Sequence, residues 1–469
     1  MGGTGELAAR VRGGVYFPGD PGYERERGGF NLSLDHRPDV VVAAGAEADV
    51  AEGVRFAAEH GLDVDVQATG HGAHRSMGGG LLVTTRGLRR VEVDPQQQVA
   101  RVSAGATAAD VLAATAAHGL TAPVGSAPGV GYVSYSLGGG LGMLGRRHGY
   151  AADHVRSLDV VTADGGKLTV TADHHPDLFR ALRGGGGNFA AVTALEVGLV
   201  PADPLYGGGL FFTADHAPAV IERFHHSVGT APRELSLSLA FLAFPDVPAV
   251  PEPLRGRFCC HLRVAYFGDA DVGRRLVEPL AAAGPFLDTV GPLPMTELGS
   301  IHADPVGPMP VASESLALSS EDALEVMPSL VDPSAPFMLE LRHLGGALSE
   351  QTAIPDAVGH RAARLNLFTS THPGADPTAQ QRVYPAVAAW SSGGPLRTFL
   401  PTSHADASAC YEPEKAAELA RLKEVWDPGD VFSFAPAVVA PAPRASRTSG
   451  SPSAAAPSAA RAHSPLPPP

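Results

Sequence analysis

"QATGHGAHRSMGGG", residues 67–80, sets two histidines, His71 and His74, among five glycines and almost no bulk. Glycine serves where backbone must approach a partner closely or take positive φ. Histidine serves as nucleophile, base or ligand. A loop of this make-up is built to lie against something, and its flanks say what kind of scaffold carries it. Upstream, "DVVVAAG" (39–45) is a short apolar run fit for a buried strand. "EADVAEGVRFAAEHG" (47–61) puts Val50, Val54 and Ala57 on one helical face and stops at Gly61. "LDVDVQATG" (62–70) reads as the next strand and runs into the loop. Downstream, "LLVTTRGLRRVEVDPQQQVARVSAG" (81–105) reads as strands with a turn at Asp94–Pro95. "TAADVLAATAAHG" (107–119) is another amphipathic helix, closed by Gly119.

Two more glycine-rich stretches follow. One is "GSAPGVGYVSYSLGGGLGMLGRRHG" (125–149). The other, "LRGGGGNFAAVTALEVGLVP" (182–201), leads into a strand. Between them "HVRSLDVVTADGGKLTVTA" (154–172) reads as a hairpin across Asp164–Gly165. Three glycine clusters between residues 67 and 190 suggest one extended ligand lying against backbone at several places. From Leu205 the character changes. Strand-like runs such as "LSLSLAFLAF", "RFCCHLRVAYFG" and "PFMLELRHLGGAL" mix with helices such as "DADVGRRLVEPLAAAG" and "AQQRVYPAVAAW", an α+β layout with a mostly antiparallel sheet covered by helices. "EKAAELARLKEVWDPGDVFSF" (414–434) reads as a helix stopped by Asp427–Pro428 and then a short strand. The Pro/Ala/Ser-rich stretch from about residue 441 reads as a disordered tail.

Bulk composition narrows the classes. The chain has 469 residues, enough for two or three domains. With 44% hydrophobic residues and a mean hydropathy of +0.03, it can bury a large core. A net charge of −14 with no basic stripe argues against nucleic acid. The sparse cysteines, Cys259, Cys260 and Cys410, argue for a reduced, cytoplasmic setting; adjacent Cys259 and Cys260 would point to opposite faces of a strand. The opening residues carry no apolar core of a signal peptide, and no run is long enough to span a membrane.

Known phosphate-binding patterns fail on context. Gly140-x-Gly142-x-x-Gly145 spells the dinucleotide fingerprint, with Asp159 or Asp164 at the expected distance. The fingerprint needs a strand before and a long helix after, and Gly149 interrupts within a few residues. No Gly-Lys-Ser/Thr follows any cluster, and His71 and His74 have no Cys or carboxylate near them at metal-ligand spacing, so no metal site is expected.

Residues 35–200 instead resemble the FAD-binding (PCMH-type) domain of the vanillyl-alcohol-oxidase superfamily, in particular the berberine-bridge-enzyme-like oxidoreductases. "RPDVVVAAGAEADVAEGVRFAAEHGLDVDVQATGHG", "VDPQQQVARVSAGATAADV", "GGGLGMLGRRHGYAADHV", "VVTADGG", "DLFRALRGGGGNFAAVT" and the late "RLKEVWDPGDVF" are similar to that family's motifs, in the family's order. The resemblance implies two α/β subdomains cradling FAD (1–203, core about 35–203) and a substrate domain over the flavin ring (204–404). A C-terminal segment (405–440) would return to the FAD domain. Cofactor contacts would fall on Gln67, Ala68, Thr69, Gly70, His71, Gly72 and Ala73; on Gly125, Val130, Gly131, Ser134, Tyr135, Gly138, Gly139 and Leu141; on Asp153 and Val155; and on Gly187, Asn188, Phe189 and Val192.

In that family the histidine of the loop is bonded to the 8α-methyl of the flavin, and the matching residue is His71, with His74 as the register-shifted rival. Many relatives carry a second link through a cysteine. Here Ala127 stands at that place, so a single tether is expected. Ser134 and Ala190 stand where relatives usually have Gly. For the chemistry, "FMLELRHLGGAL" is the candidate strand of the substrate domain: Glu340 and Arg342 share one face and His343 takes the other, the alternative being a surface ion pair on an edge strand. Tyr411 and Tyr384 are further candidates for the base, and the Asn-rich motif expected after "DPGDVF" is replaced by "SFAPAV". The function implied is an FAD-dependent oxidoreductase of secondary metabolism. It would act on a small alcohol, amine or sugar-type metabolite, as a monomer or homodimer. With no second redox motif, O₂ is the expected acceptor. The rivals are a dehydrogenase, a family member without turnover, and a non-flavin carbohydrate- or peptide-binding protein.

Overall fold

The computed structural model describes residues 2–438 except Pro336, Pro373, Ser403 and Ala405. The stretch from Val439 onward, read above as a disordered tail, lies outside the described residues. The fold is α+β, with a four-stranded sheet, a five-stranded sheet and a two-stranded pair (Leu120–Thr121 with Val200–Pro201) in the first part of the chain and one large antiparallel sheet in the second.

The apolar runs around the first glycine loop form a four-stranded sheet, in the order Gly14–Tyr16, Val40–Ala43, Leu81–Thr84, Val64–Gln67. The last three strands are parallel, joined by the helix Glu47–His60, which ends at Gly61 with φ 64. The N-terminal strand Gly14–Tyr16 and the helix Gly2–Arg10 before it were not anticipated from the sequence. A second, wholly antiparallel sheet runs Val91–Asp94, Val99–Ser103, Ala191–Gly198, Val155–Val161, Lys167–Thr171. The glycine loops lie where these sheets meet.

The large sheet takes the order Leu287–Asp288, Leu205–Phe212, Phe258–Phe267, Leu235–Ala243, Phe337–His343, Leu365–Thr371, Ala312–Leu318. Alternation divides its faces. Leu237, Leu239, Leu262, Val264, Leu339, Leu341, Leu365 and Leu367 pack beneath the helices Ala217–Thr230 and Ala270–Ala281. The opposite face carries Ser238, Arg263, Glu340, Arg342 and Asn366 and turns toward the first part of the chain. Cys259 and Cys260 fall into different apolar clusters on the two faces, and all three cysteines are unpaired.

The helix Pro413–Trp426 packs Leu419 and Leu422 onto the core of the first part of the chain. The strand expected after it does not form. Asp427 accepts from the backbone N–H of Val431 and of Phe432, both at 2.8 Å, so the chain curls around that carboxylate instead of extending.

Candidate active site

The first glycine loop is held from below and open above. Arg86 donates to the Ala68 carbonyl (3.2 Å), and the Gln67 side-chain amide donates to the Gly28 carbonyl (3.0 Å). Gly70 has φ +76, and a Cβ there would lie 2.7 Å from the Cα of Gly29. A Cβ on Gly72, by contrast, would meet nothing within 4 Å, and the same is true at Gly78 and Gly187. Ala73 follows, half-buried. His71 lies flat on Phe30, ring centroids 3.7 Å apart and planes 16° from parallel. Its Nδ1 is 2.8 Å from Thr69 Oγ1. Burial lowers its pKa to about 4, so the ring is neutral at neutral pH. His74 faces Arg397 instead (3.5 Å), and burial lowers it to about 3.

The second stretch opposes this loop. Gly129 approaches the His71 ring: a Cβ there would sit 3.6 Å from His71 Cε1. The Val130 carbonyl accepts from Ala108 N–H (2.9 Å). Gly131 precedes a six-residue helix, Tyr132–Leu137, that the glycine content had hidden; Ser134 donates back to the Gly131 carbonyl (3.1 Å). Gly125 passes against the Tyr135 ring. Gly138 closes the helix opposite Thr398, and Gly139 turns at φ +99 into Leu141. After Gly145 only the four residues Gly145–His148 are helical, which disposes of the dinucleotide fingerprint.

The third stretch brings Gly187 and Asn188 to the C-terminal segment: Asn188 donates to the carbonyls of Gly185 (3.2 Å) and Pro436 (2.9 Å). Phe189 and Val192 are buried behind it. Asp153 is placed differently. Its carboxylate is taken by Arg361 and the Tyr150 N–H (2.8 Å), in a network that includes Asp356, so it offers no free carboxylate. Val155 is buried at the start of its strand.

Among the described residues, several buried polar atoms around the loops have no partner: Gln67 Oε1, Tyr135 OH, Arg397 Nε and Ser433 Oγ. Such orphans are rare in finished interiors. Open space beside three glycines, N–H-rich turns and these orphans together fit an extended, polar ligand such as FAD.

Glu340 and Arg342 stand across from these loops. Their strand lies between Leu235–Ala243 and Leu365–Thr371, so the surface ion pair on an edge strand is ruled out. Glu340 is fully buried between Arg263 (2.5 Å) and Arg342 (2.9 Å). Burial pushes its carboxyl up, but the two guanidiniums outweigh this and hold it below the usual carboxylate range. His302 Nδ1 lies 3.4 Å from Glu340, and burial together with Arg263 and Arg342 keeps its ring neutral. Arg342 lies 4.8 Å from the centre of the Phe399 ring. Between Leu141–Met143 and this sheet face is a partly open cleft, lined also by Ser236, Ser238, Arg263, His302 and Arg342.

His343, at the strand end, sits 2.7 Å from Arg146. The tyrosines are elsewhere. Tyr411 is buried in the core of the first part of the chain, its hydroxyl donating to the Gly184 carbonyl (3.1 Å). Tyr384 meets Thr369 (2.7 Å) among the helices of the second part. Arg263, His261, His302, Ser238 and Asn366 escaped the sequence reading. The available signal was a polar residue at alternate positions of apolar runs, as in "CCHLRV" and "LNLF".

Residues 38–171 match the FAD binding domain family. The chain is 26% identical over 450 residues to (R)-6-hydroxynicotine oxidase of Paenarthrobacter nicotinovorans, covering 90% of this chain and 95% of that protein. Its fold superimposes on 6-hydroxy-D-nicotine oxidase from Arthrobacter nicotinovorans with a TM-score of 0.80 (22% identity; 92% and 98% of the chains). A berberine bridge enzyme variant gives 0.78 (18%; 92% and 98%), and a carbohydrate oxidase from Microdochium nivale gives 0.77 (22%; 93% and 99%).

Proposed function

We propose that the chain is an FAD-dependent oxidoreductase of the PCMH-type, berberine-bridge-like superfamily, and that it is an oxidase of a small alcohol, amine or sugar-type metabolite, with O₂ as electron acceptor. The observation that supports the reading is the meeting of the two halves: the glycine-rich turn Leu141–Met143 and Arg263, His302 and Arg342 of the second part line one cleft. The flavin, when bound, supplies a two-electron acceptor; the chain supplies orientation, a dry pocket and proton handling.

His71 is the residue we propose to tether the flavin. Bond formation to carbon needs a neutral imidazole nitrogen, and burial keeps this ring neutral. Thr69 engages Nδ1 and Phe30 stacks on the ring, while the edge carrying Cε1 and Nε2 faces Gly129. A second tether has no thiol to use: Ala127 occupies its place, and Cys259, Cys260 and Cys410 are buried in other cores. The backbone turns at Gly70, Gly131 and Gly187 would hold the phosphates and ring. We take 1–203 as the flavin unit, completed by 405–440, and 204–404 as the substrate unit. Three unpaired cysteines suit the cytoplasm, and no helix among the described residues is long and apolar enough to cross a membrane.

Glu340, held ionised by two arginines, is a poor proton acceptor. Its geometry supports a positioning role for Arg263 and Arg342 instead. That same observation, with the "SFAPAV" departure, favours one second reading, a dehydrogenase or a member without turnover. Purified protein should be yellow, keep its colour on the polypeptide after acid precipitation, and bleach anaerobically with one member of a metabolite panel. Fast reoxidation in air with one H₂O₂ per substrate supports the oxidase. Reoxidation over many minutes, with rapid transfer to a quinone or dye, makes it a dehydrogenase. Failure of every substrate to bleach a yellow protein favours the member without turnover.

A further inference from the structure

The sheet face over the cleft is arranged in cross-strand rows. Arg263 pairs with Ser238, Ser238 with Arg342, and Arg342 with Asn366. The neighbouring row runs His261, Ala240, Glu340, Phe368. Directly opposed residues in antiparallel strands project to one side, so both rows face the same way.

Two properties of this surface stand out. First, it has donors and polar atoms without partners. Ser238 Oγ, His261 Nε2, and both polar side-chain atoms of Asn366 are buried and have no partner among the described residues. Arg342 uses its Nε on Glu340 and has no further hydrogen bond among the described residues. Buried polar atoms in a folded protein are seldom left so. Second, the guanidiniums are only partly engaged. Arg263 and Arg342 stand against Glu340 and the part-buried Asp304, and the histidines His261 and His302 are neutral. Asp304 accepts from Ser126 (2.6 Å) and makes no hydrogen bond to Arg342 among the described residues. A guanidinium with donors to spare beside a partly open cleft favours an anion. The other walls are apolar: Leu141, Met143, Ile301 and, beneath the guanidinium, Phe399.

We propose that the cleft selects a substrate bearing an ionised oxygen, a carboxylate or a phenolate, on a flat apolar body, with the oxyanion on Arg342 and its row partners Ser238 and Asn366. The inference rests on the flavin-site reading for its place in catalysis, but not for its binding chemistry. Benzoate, benzyl alcohol and benzylammonium share one ring and differ in charge. Calorimetric titration of the purified protein with each compares them directly. Benzoate is expected to bind at least about tenfold more tightly than the other two. Arg342→Gln should erase that preference, and Arg342→Lys, which keeps the charge, should retain part of it.

Equal binding of benzoate and benzyl alcohol would overturn the proposal and leave the spare donors to serve the cofactor. Survival of the benzoate preference in Arg342→Gln would overturn it too, since the anion would then sit elsewhere. Calorimetry needs no colour. A flavin-free preparation therefore tells against the oxidase reading alone, while the three probes still decide this one. If Arg342→Gln does not fold, Arg342→Lys and the wild-type ranking remain decisive.

Discussion

His71 is where the smallest change has the clearest reading. In His71→Ala the flavin is expected to separate from the polypeptide on acid precipitation; retention of colour in the pellet would move the tether to His74. A peptide map of the wild type should show flavin mass on one peptide, the one holding His71, and flavin on any cysteine-containing peptide would refute the single link. Glu340 illustrates the opposite kind of residue, one whose loss is felt in stability first. Glu340→Ala leaves Arg263 buried and unpaired at 3% side-chain exposure. The expected cost is on the order of 3–5 kcal/mol in urea unfolding, while breaking an exposed pair such as Arg274–Asp271 should cost about 0–1 kcal/mol. Similar losses for the two would mean that Glu340 is not the buried counter-charge described above.

At the scale of elements, the glycine segments act as spacers whose missing side chains let backbone pass backbone. Gly142 is the tightest of those near the cleft: a Cβ there would stand 1.9 Å from the Val124 carbonyl oxygen. Gly142→Ala must therefore displace the turn between the helix Tyr132–Leu137 and the cleft. The expected result is a lower ratio of flavin to protein absorbance, and wild-type occupancy would show that this turn does not set the flavin site. Much at this scale was legible in the sequence. Strands such as Val40–Ala43 and Leu235–Ala243 announce themselves by apolar runs or alternation, and Gly61 and Gly119 mark helix ends with φ 64 and 66. The misses have physical causes. Tyr132–Leu137 lies in a glycine-rich stretch where local propensity opposes a helix, and packing overrides it. The stretch 431–434 has a strand-like composition but is captured by Asp427. Arg263 and Glu340 lie far apart in sequence and meet only through sheet register, and His302 joins them from the end of the short helix Met295–Ile301, which no local pattern encodes.

For the molecule as a whole, buried neutral histidines make stability depend on pH. Burial lowers His148 to about 4, His74 to about 3 and His343 to about 2. Each folded value is below the unfolded value near 6.5, so between them the unfolded chain binds more protons. Their contribution is complete above about pH 6.5 and is lost as pH falls toward and through the folded values; Glu340, also depressed, adds a loss of the same sign at lower pH. The melting temperature is expected to fall steadily from pH 7 to pH 4 at constant ionic strength, and a flat profile would refute these shifts. The return of the C-terminal segment has a consequence for the order of events during synthesis. Val64 N–H bonds the Val431 carbonyl, Asn188 holds the Pro436 carbonyl, Tyr411 reaches Gly184, and Phe432 fills a core with Val42 and Leu81. The half that is translated first therefore waits, with its glycine loops unsupported, until residues 406–438 leave the ribosome. Nascent chains must survive an interval as exposed, incomplete intermediates that recruit chaperones, and cofactor loading becomes the last step of maturation rather than an early nucleus for folding.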